Sequence, residues 1–353
     1  MSQINTNAIL DASGGTTATV NGFTPTVSNM AGRNRIINGD MRIDQRNNGA
    51  AVTTNGAFPV DRFSFSFSTD GAYSAQQDSS APAGFINSVK FTTTTADASL
   101  GATQNAYLRQ KVEGTNVADL GWGTANAKTV TLSFWVRSSL TGTFGGALWN
   151  SAFDRSYPFT YSISVADTWE YKTVTIAGDT SGTWLTTNGI GVNVGFGLGV
   201  GSTYSGTAGT WAGAGYVTAT GAVSVIGTLN ATWQVTGVQL EAGSVATPFE
   251  HRQYGQELAL CERYFQIVEG GYYGPSASTT NAGKIYFRTV MRASATVTWT
   301  TALRNYGGNW TVGAPIGFYM TTDQTKYAHP YKSASSTAQD TEFWDRYNLS
   351  AEL

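Results

Sequence analysis

Alternating hydrophobic and polar residues recur in short stretches after about residue 35, a pattern typical of β-strands separated by turns. Residues 62–68 place three phenylalanines on one face of a predicted strand, and residues 129–137 alternate in the same way. Residues 171–176 form a third stretch of this kind. Clusters of Gly, Asn and Ser lie between such stretches, so the sequence predicts a mainly β protein built as a sandwich or a barrel.

The segment 191–201 is unusual, because glycine or asparagine occupies every second position and apolar residues fill the positions between them. Glycine-rich segments can bind phosphate, but the tight-turn spacing of that motif is absent here. The pattern instead predicts a central strand with one bare face. An aromatic ring or another backbone segment would pack closely against that face.

One helix is predicted over residues 248–268. Thr247, Pro248 and Glu250 form a capping-box sequence, and two glycines follow the predicted end of the helix. Hydrophobic residues spaced four and three apart form a heptad seam: Tyr254, Leu258, Cys261, Phe265 and Val268. A second apolar stripe lies beside it, at Leu260, Tyr264 and Ile267. Such a helix packs either between two β-domains of one chain or against its own copies in a bundle.

The two ends of the chain differ in composition from this central part. The first 32 residues are mostly Asn, Thr, Ser, Gly and Ala, which cannot form a hydrophobic core, so they predict an extended arm. Residues 269–353 are rich in aromatic residues and contain several strand-like stretches, the last of them at 343–353. They predict a second, small β-domain.

Composition excludes several classes of protein. Charged residues make up 12% of the chain and the formal net charge is −2, which disfavours binding to nucleic acid. Cys261 is the one cysteine, so an intrachain disulfide and a multi-cysteine zinc site are excluded. No apolar run is long enough for a transmembrane helix, so we expect no membrane insertion, and the first residues show no signal-peptide pattern.

Five short motifs follow one another along the chain: NRIINGDM at 34–41, LSFWVR at 132–137, QLEAG at 239–243 with PFE at 248–250, CERYF at 261–265, and MRA at 291–293. Together they resemble the tail fibres and related receptor-binding proteins of tailed bacteriophages. The resemblance extends over the whole chain and is most specific in residues 239–265.

The resemblance implies a homotrimer whose main domain is a jelly-roll like that of carbohydrate-binding modules. It assigns residues 1–34 to an arm that attaches to another virion protein, 35–247 to the jelly-roll, 248–268 to a connecting helix, and 269–353 to a host-facing β-domain. The arm would occupy one end of the molecule and the host-facing domain the other. The protein would lie on the virion, in the tail or another external appendage, after synthesis in the host cytoplasm.

Jelly-roll modules of this kind often hold a structural calcium ion. Asp40, Asp44 and Glu241 could supply oxygen ligands to such an ion. Calcium takes about six to eight oxygens, and no EF-hand-like run provides them in this sequence. We therefore expect neither a metal site nor a cofactor.

Sugar rings stack on exposed aromatic side chains, and neighbouring polar residues bind their hydroxyl groups. Aromatic residues beside turn residues in the C-terminal domain are the candidate glycan contacts: Tyr272, Tyr273, Tyr306, Trp310, Tyr327 and Tyr331. Alternatively, these rings form the core of a small β-domain or a trimer contact. Trp135 lies opposite the apolar face of its predicted strand, where it is either exposed to solvent or in contact with another subunit.

The sequence favours a virion adhesin that binds a host-surface glycan or protein without catalysis. A purely structural virion component, such as a connector or a head decoration, is the first alternative. A glycan depolymerase is the second, but it needs two carboxylates across a cleft. Acidic residues are sparse, and between Thr173 and Glu250 the only carboxylates besides Glu250 itself belong to Asp179 and Glu241.

Overall fold

The computed structural model describes residues 32–274, 285–299, 304–305, 316–319, 327–332 and 341–353. The chain divides into two compact units, the first ending at His251 and the second beginning at Arg252. Most of the regular structure is β-strand. In the described residues no helix is long and apolar enough to cross a membrane.

The described part of the first unit, residues 32–251, contains twelve strands and three short 3-10 helices. The strands are β1 (Phe63–Ser68), β2 (Ala72–Asp78), β3 (Ser88–Thr95), β4 (Asn105–Glu113), β5 (Val130–Ser138), β6 (Gly142–Trp149), β7 (Ser156–Ile163), β8 (Glu170–Ile176), β9 (Ile190–Val200), β10 (Ser205–Gly206), β11 (Thr218–Ala219) and β12 (Thr232–Ala242). The 3-10 helices span Gly114–Asn116, Ala118–Leu120 and Ser202–Tyr204.

Ten of these strands form two five-stranded antiparallel sheets. Sheet A has the order β1-β4-β9-β6-β7, and sheet B has the order β2-β3-β12-β5-β8. The strands β10 and β11 form a separate short parallel pair. The side chains between sheets A and B make up one hydrophobic core. The predicted β-sandwich is therefore confirmed.

Large aromatic side chains fill that core. Phe63 and Phe65 are buried, as the alternation in residues 62–68 predicts, and Phe67 is half-buried. Trp233 of β12 is fully buried and donates a hydrogen bond from Nε1 to the hydroxyl of Tyr161 at 3.1 Å. Burial on this scale is the main source of stability for a chain with so few charges.

The glycine-rich segment forms the central strand of sheet A, and its bare face is covered as predicted. A Cβ atom at Gly195 would lie 2.5 Å from Cη2 of Trp149, and one at Gly197 would lie 2.6 Å from Oγ1 of Thr218. At Gly201 the close atoms belong to the backbone of Gly101 and Ala102. Glycine is needed at these positions because a ring and a neighbouring chain segment occupy the space of its side chain.

Among its described residues, the second unit contains one helix and seven strands. They are α1 (Tyr254–Glu262), β13 (Phe265–Gly274), β14 (Ile285–Tyr286), β15 (Thr296–Trp299), β16 (Arg304–Asn305), β17 (Ile316–Tyr319), β18 (Tyr327–Lys332) and β19 (Thr341–Ser350). One sheet has the order β13-β19-β15, with β16 also pairing with β19, and another has the order β14-β18-β17. The predicted second β region is present.

The predicted helix over residues 248–268 is wrong at both ends. Helix α1 begins at Tyr254 and ends at Glu262, so Phe265 and Val268 of the heptad seam lie in β13. There they pair with Ser350 and Tyr347 of β19, and these sheet contacts override the helical spacing. Of the remaining seam residues, Cys261 is buried, Leu258 is half-buried and Tyr254 is exposed. The seam is therefore not a continuous stripe on one helix.

The capping-box residues act differently from the prediction. Thr247 donates a hydrogen bond from Oγ1 to Glu241 at 2.7 Å, and Glu241 also accepts from the backbone N–H of Thr247 at 2.8 Å. The carboxylate of Glu250 accepts hydrogen bonds from the N–H groups of Gly32 at 2.6 Å and Asn34 at 2.8 Å. The first described residues of the first unit thus lie beside its last ones.

Candidate functional site

The six predicted glycan contacts fall in the second unit. Tyr306 and Trp310 lie outside the described residues. The others lie in strands: Tyr272 and Tyr273 in β13, opposite Phe343 and Glu342, and Tyr327 and Tyr331 in β18, opposite Tyr286 and Gly317. These pairings describe the backbone, and the assignment of the six residues to glycan binding stays a prediction.

An exposed aromatic pair lies on the outer face of sheet B in the first unit. Leu132, Phe134 and Val136 of β5 point into the core, so Trp135 between them points outward. The register pairs Trp135 directly with Tyr171 of the edge strand β8. Their ring centroids are 5.4 Å apart with an interplanar angle of 49°. Trp135 is half-buried and Tyr171 is 43% exposed, so the pair offers an apolar surface to solvent.

Polar side chains surround this aromatic pair. Arg137 follows on the same face of β5, and its guanidinium donates to the backbone oxygen of Asp167 at 2.8 Å and to Oγ of Ser80 at 3.1 Å. Thr173 and Thr175 follow Tyr171 on the same face of β8, and both are exposed. The hydroxyl of Thr175 donates to the backbone oxygen of Ser244 at 3.2 Å. The fixed guanidinium of Arg137 and the exposed hydroxyl of Thr173 therefore lie next to the exposed rings. That combination suits a polyhydroxylated ligand.

A β-bulge continues the aromatic surface on the other side of Trp135. The register of β5 and β12 shifts between Thr236 and Gln239, and Gly237 there has a φ of 61°. A Cβ atom at Gly237 would lie 2.7 Å from Cζ of Phe85 and 3.1 Å from Cδ1 of Trp135. The bulge thus brings Phe85 beside Trp135, and the sequence alone carries no signal for this contact because the register shift is a tertiary feature.

Two further rings lie against Phe85. Its centroid is 5.1 Å from that of Phe249 and 5.4 Å from that of His251. Phe249 is half-buried and His251 is exposed. The outer face of sheet B therefore carries a row of five aromatic groups, all within the first unit: Tyr171, Trp135, Phe85, Phe249 and His251. We call this row the sheet B platform.

Glu170 precedes Tyr171 in β8 and pairs with the core residue Val136, so its side chain lies on the face of sheet B opposite the platform. Burial opposes its ionisation, but hydrogen bonds from Lys172, Val165 and Ser164 outweigh that effect and lower the pKa of Glu170. The donor distances are 2.6 Å from Nζ of Lys172 and 2.9 Å and 2.7 Å from the two backbone N–H groups. A carboxylate held in its ionised form is a poor proton donor at neutral pH, which makes Glu170 unsuited to act as a general acid.

A second aromatic cluster packs on the core of the same unit. Trp122, Trp184 and Trp211 meet edge to face, with centroid separations of 4.7 Å and 5.4 Å from Trp122 to the other two. The indole N–H groups of Trp184 and Trp211 donate to the backbone oxygens of Ser181 and Ala177. Because these donors are already used, we interpret this cluster as structural packing.

The three carboxylates considered for calcium do not converge. Asp40 pairs with Arg42, whereas Asp44 accepts hydrogen bonds from the N–H groups of Asn47 and Gly49. The carboxylate of Glu241 accepts hydrogen bonds from the N–H and the hydroxyl of Thr247. Among the residues that the structure describes, no group of three or more His, Cys, Asp or Glu side chains is placed to hold a metal ion.

Comparison with known proteins gives limited information. No family model matches the sequence. A comparison with curated proteins finds no match either.

Solved structures similar to this chain include a phage protein and two sugar-binding proteins. The enzymatically active domain of tailspike protein 4 from bacteriophage CBA120 has 12% identity and a TM-score of 0.31, and the match covers 57% of this chain and 21% of that one. A putative sugar binding protein from Bacteroides thetaiotaomicron has 11% identity and a TM-score of 0.35, with 60% and 100% covered.

The third is a family 11 carbohydrate-binding module from Clostridium thermocellum, in complex with a mixed-linked tetrasaccharide. It has 13% identity and a TM-score of 0.27, with 56% of this chain and 99% of that one covered. This chain thus spans about a fifth of the tailspike domain and all or nearly all of the two sugar-binding proteins. All three TM-scores are low, and they support no conclusion about what this chain does.

Proposed function

We propose that this protein is a non-catalytic virion adhesin that binds a glycan on the host surface through its β-sandwich. The observation that carries the proposal is the exposed pair of Trp135 and Tyr171 on sheet B. The motifs that resemble phage tail fibres supply the virion context. Residues 1–34 would attach the chain to another virion protein, and the aromatic residues of 269–353 would add further host contacts.

The chemistry of the platform fits a sugar. The C–H groups of a pyranose ring are apolar and stack on aromatic faces, while its hydroxyl groups need hydrogen-bond partners. Trp135 and Tyr171 supply the faces, and the exposed hydroxyl of Thr173 supplies a hydrogen-bond partner beside them. By analogy with aromatic pairs, each stacking contact contributes about 1 kcal/mol, so several copies acting together would be needed for strong adsorption.

The double variant Trp135→Ala, Tyr171→Ala should weaken glycan binding by about tenfold or more, because about 1.4 kcal/mol corresponds to a factor of ten. Binding can be measured on a glycan array and by adsorption blocking with the purified protein. Leu229→Ala is the matched control, since Leu229 is 56% exposed on the same unit and lies outside the platform.

Unchanged binding by the platform double variant would reject the proposed site. If replacing Tyr306 and Trp310 with Ala abolished binding in that case, the C-terminal domain would carry the receptor site. If no variant changed adsorption and the protein bound no glycan, the platform would be a contact with another virion protein, and the chain would be structural. Release of reducing sugar from a bound polysaccharide would identify a depolymerase.

The proposal includes a homotrimer, which now rests on the family resemblance, because the heptad seam does not continue beyond α1. Light scattering at micromolar concentration should give about three times the chain mass of 37.5 kDa. A mass equal to that of a single chain would remove the trimer from the proposal. Glycan binding through the sandwich would not be affected by that result.

A further inference from the structure

Arg109 stands apart from the other arginines of the first unit. It lies on β4 between the core residues Leu108 and Gln110, so its side chain is on the outer face of sheet A. It is half-buried, and its Nε atom is buried with no hydrogen-bond partner. Among the described residues no carboxylate pairs with it. Its guanidinium lies over the ring of Tyr107, with 5.6 Å between Cζ of Arg109 and the ring centroid.

Every other arginine of the described first unit has a hydrogen-bonding or ionic partner. The partners are Pro248 for Arg33, Asp119 for Arg35, Asp40 for Arg42, Asp61 for Arg46, Lys111 for Arg62, Asp167 for Arg137 and Asp179 for Arg155. Arg109 is thus the one arginine in residues 32–251 without a hydrogen-bonding or ionic partner. Leaving a guanidinium unpaired in a partly buried position is unfavourable for folding.

The surroundings of Arg109 form a shallow surface with an aromatic side. Its neighbours in the sheet register are Ser64 on β1 and Gly195 on β9, neither of which carries charge. Tyr107 is half-buried on the same face, and its ring meets that of the buried Trp149 edge to face, with centroids 5.9 Å apart. Trp149 in turn covers Gly195. Tyr107 is therefore held in place from behind while part of its ring remains accessible.

We propose that Arg109 and Tyr107 form a second binding site on the first unit, for a sugar that bears a carboxylate. The terminal Nη groups of Arg109 are neither buried nor hydrogen-bonded, so they are free to pair with the two oxygens of a carboxylate. The sugar ring would stack on Tyr107. This site lies on sheet A, whereas the platform of Trp135 and Tyr171 lies on sheet B, and the two share only the premise that the ligand is a glycan.

The test compares trigalacturonate with galactotriose, its uncharged counterpart, by isothermal titration of the full-length protein. Trigalacturonate should bind at least tenfold more tightly than galactotriose, and Arg109→Gln should remove that preference. Arg109→Lys keeps the charge but loses the paired donors, so it should restore only part of the preference. Because Arg109→Gln removes an unpaired buried donor, its melting temperature should equal or exceed that of the wild type.

Several results would overturn this proposal: no binding of trigalacturonate, equal binding of the two oligosaccharides, or an unchanged preference in Arg109→Gln. Binding of inorganic phosphate as tightly as trigalacturonate would also overturn it, because the site would then recognise an anion and no sugar. A lower melting temperature of Arg109→Gln would assign Arg109 to folding. Loss of galactotriose binding in Trp135→Ala with no effect of Arg109→Gln would leave the platform standing and reject only this site.

Discussion

Replacing Asp179 with Ala should lower the unfolding free energy of the first unit by about 3–5 kcal/mol, the range expected when one partner of a buried ion pair is removed. The side chain of Asp179 is 2% exposed and that of Arg155 is 19% exposed. Arg155 donates to both carboxylate oxygens, from Nε at 2.8 Å and from an Nη at 2.6 Å. The hydrogen bond with Asp179 raises the pKa of Arg155. A guanidinium stays protonated in proteins even without a partner, so Asp179→Ala leaves an unpaired positive charge in this site.

Asp179 also organises the loop between β8 and β9. Its carboxylate accepts from the N–H of Ser181 at 3.0 Å, and its backbone oxygen accepts from the N–H of Gly123 at 2.7 Å. The indole N–H of Trp211 binds the backbone oxygen of Ala177 in the same loop. Loss of the ion pair should therefore also loosen the packing of Trp211, which chemical denaturation followed by tryptophan fluorescence would detect.

Asp167→Ala is the matched control for this experiment. Asp167 pairs with Arg137 at 3.4 Å, but its side chain is 59% exposed, so its loss should cost only about 0–1 kcal/mol. A double variant with Arg155→Met and Asp179→Leu should recover much of the lost stability, because no unpaired charge is then buried. Equal losses in Asp179→Ala and Asp167→Ala would contradict the argument.

The sandwich could be predicted from the sequence because alternation fixes which face of each strand is buried. Phe63 and Phe65, and Val192 to Leu198 in alternation, are buried as the pattern requires. The spacing of four and three predicts a helix through Val268, because Phe265 and Val268 continue the apolar series that begins at Tyr254. Residues 265–274 instead form a strand, because they pair with β19, which lies about 75 positions later in the chain.

The candidate site could be predicted only in part. Trp135 was recognised as a side chain on the outer face, but its partner Tyr171 is set by the register between β5 and β8. Phe85 reaches Trp135 through a bulge on a third strand. The sequence carries no signal for Arg109, because the lack of a partner depends on where every neighbouring side chain lies.

Replacing Gly195 with Val should destabilise the first unit by about 1–3 kcal/mol, the usual cost of overpacking a filled site. A Cβ atom there would lie 2.5 Å from Cη2 of Trp149, and Trp149 is 2% exposed. The indole cannot move aside easily, since Tyr107 and Phe153 pack against it with centroids at 5.9 Å and 6.1 Å. In an open strand the same change would be favourable, because valine has a higher β-propensity than glycine.

The control is Gly213→Ala in the same unit, where the nearest atom, an Nη of Arg155, lies 3.9 Å from the added Cβ. That variant should be neutral within about 0.5 kcal/mol. If the clash with Trp149 is the cause, then adding Trp149→Leu to Gly195→Val should restore part of the stability that the two single changes lose together. If the two losses of unfolding free energy simply add in the double variant, the clash with Trp149 is not the reason for glycine at position 195. Because Trp149 holds Tyr107 in place, Gly195→Val should also weaken any binding at Arg109 while leaving the Trp135 platform unaffected.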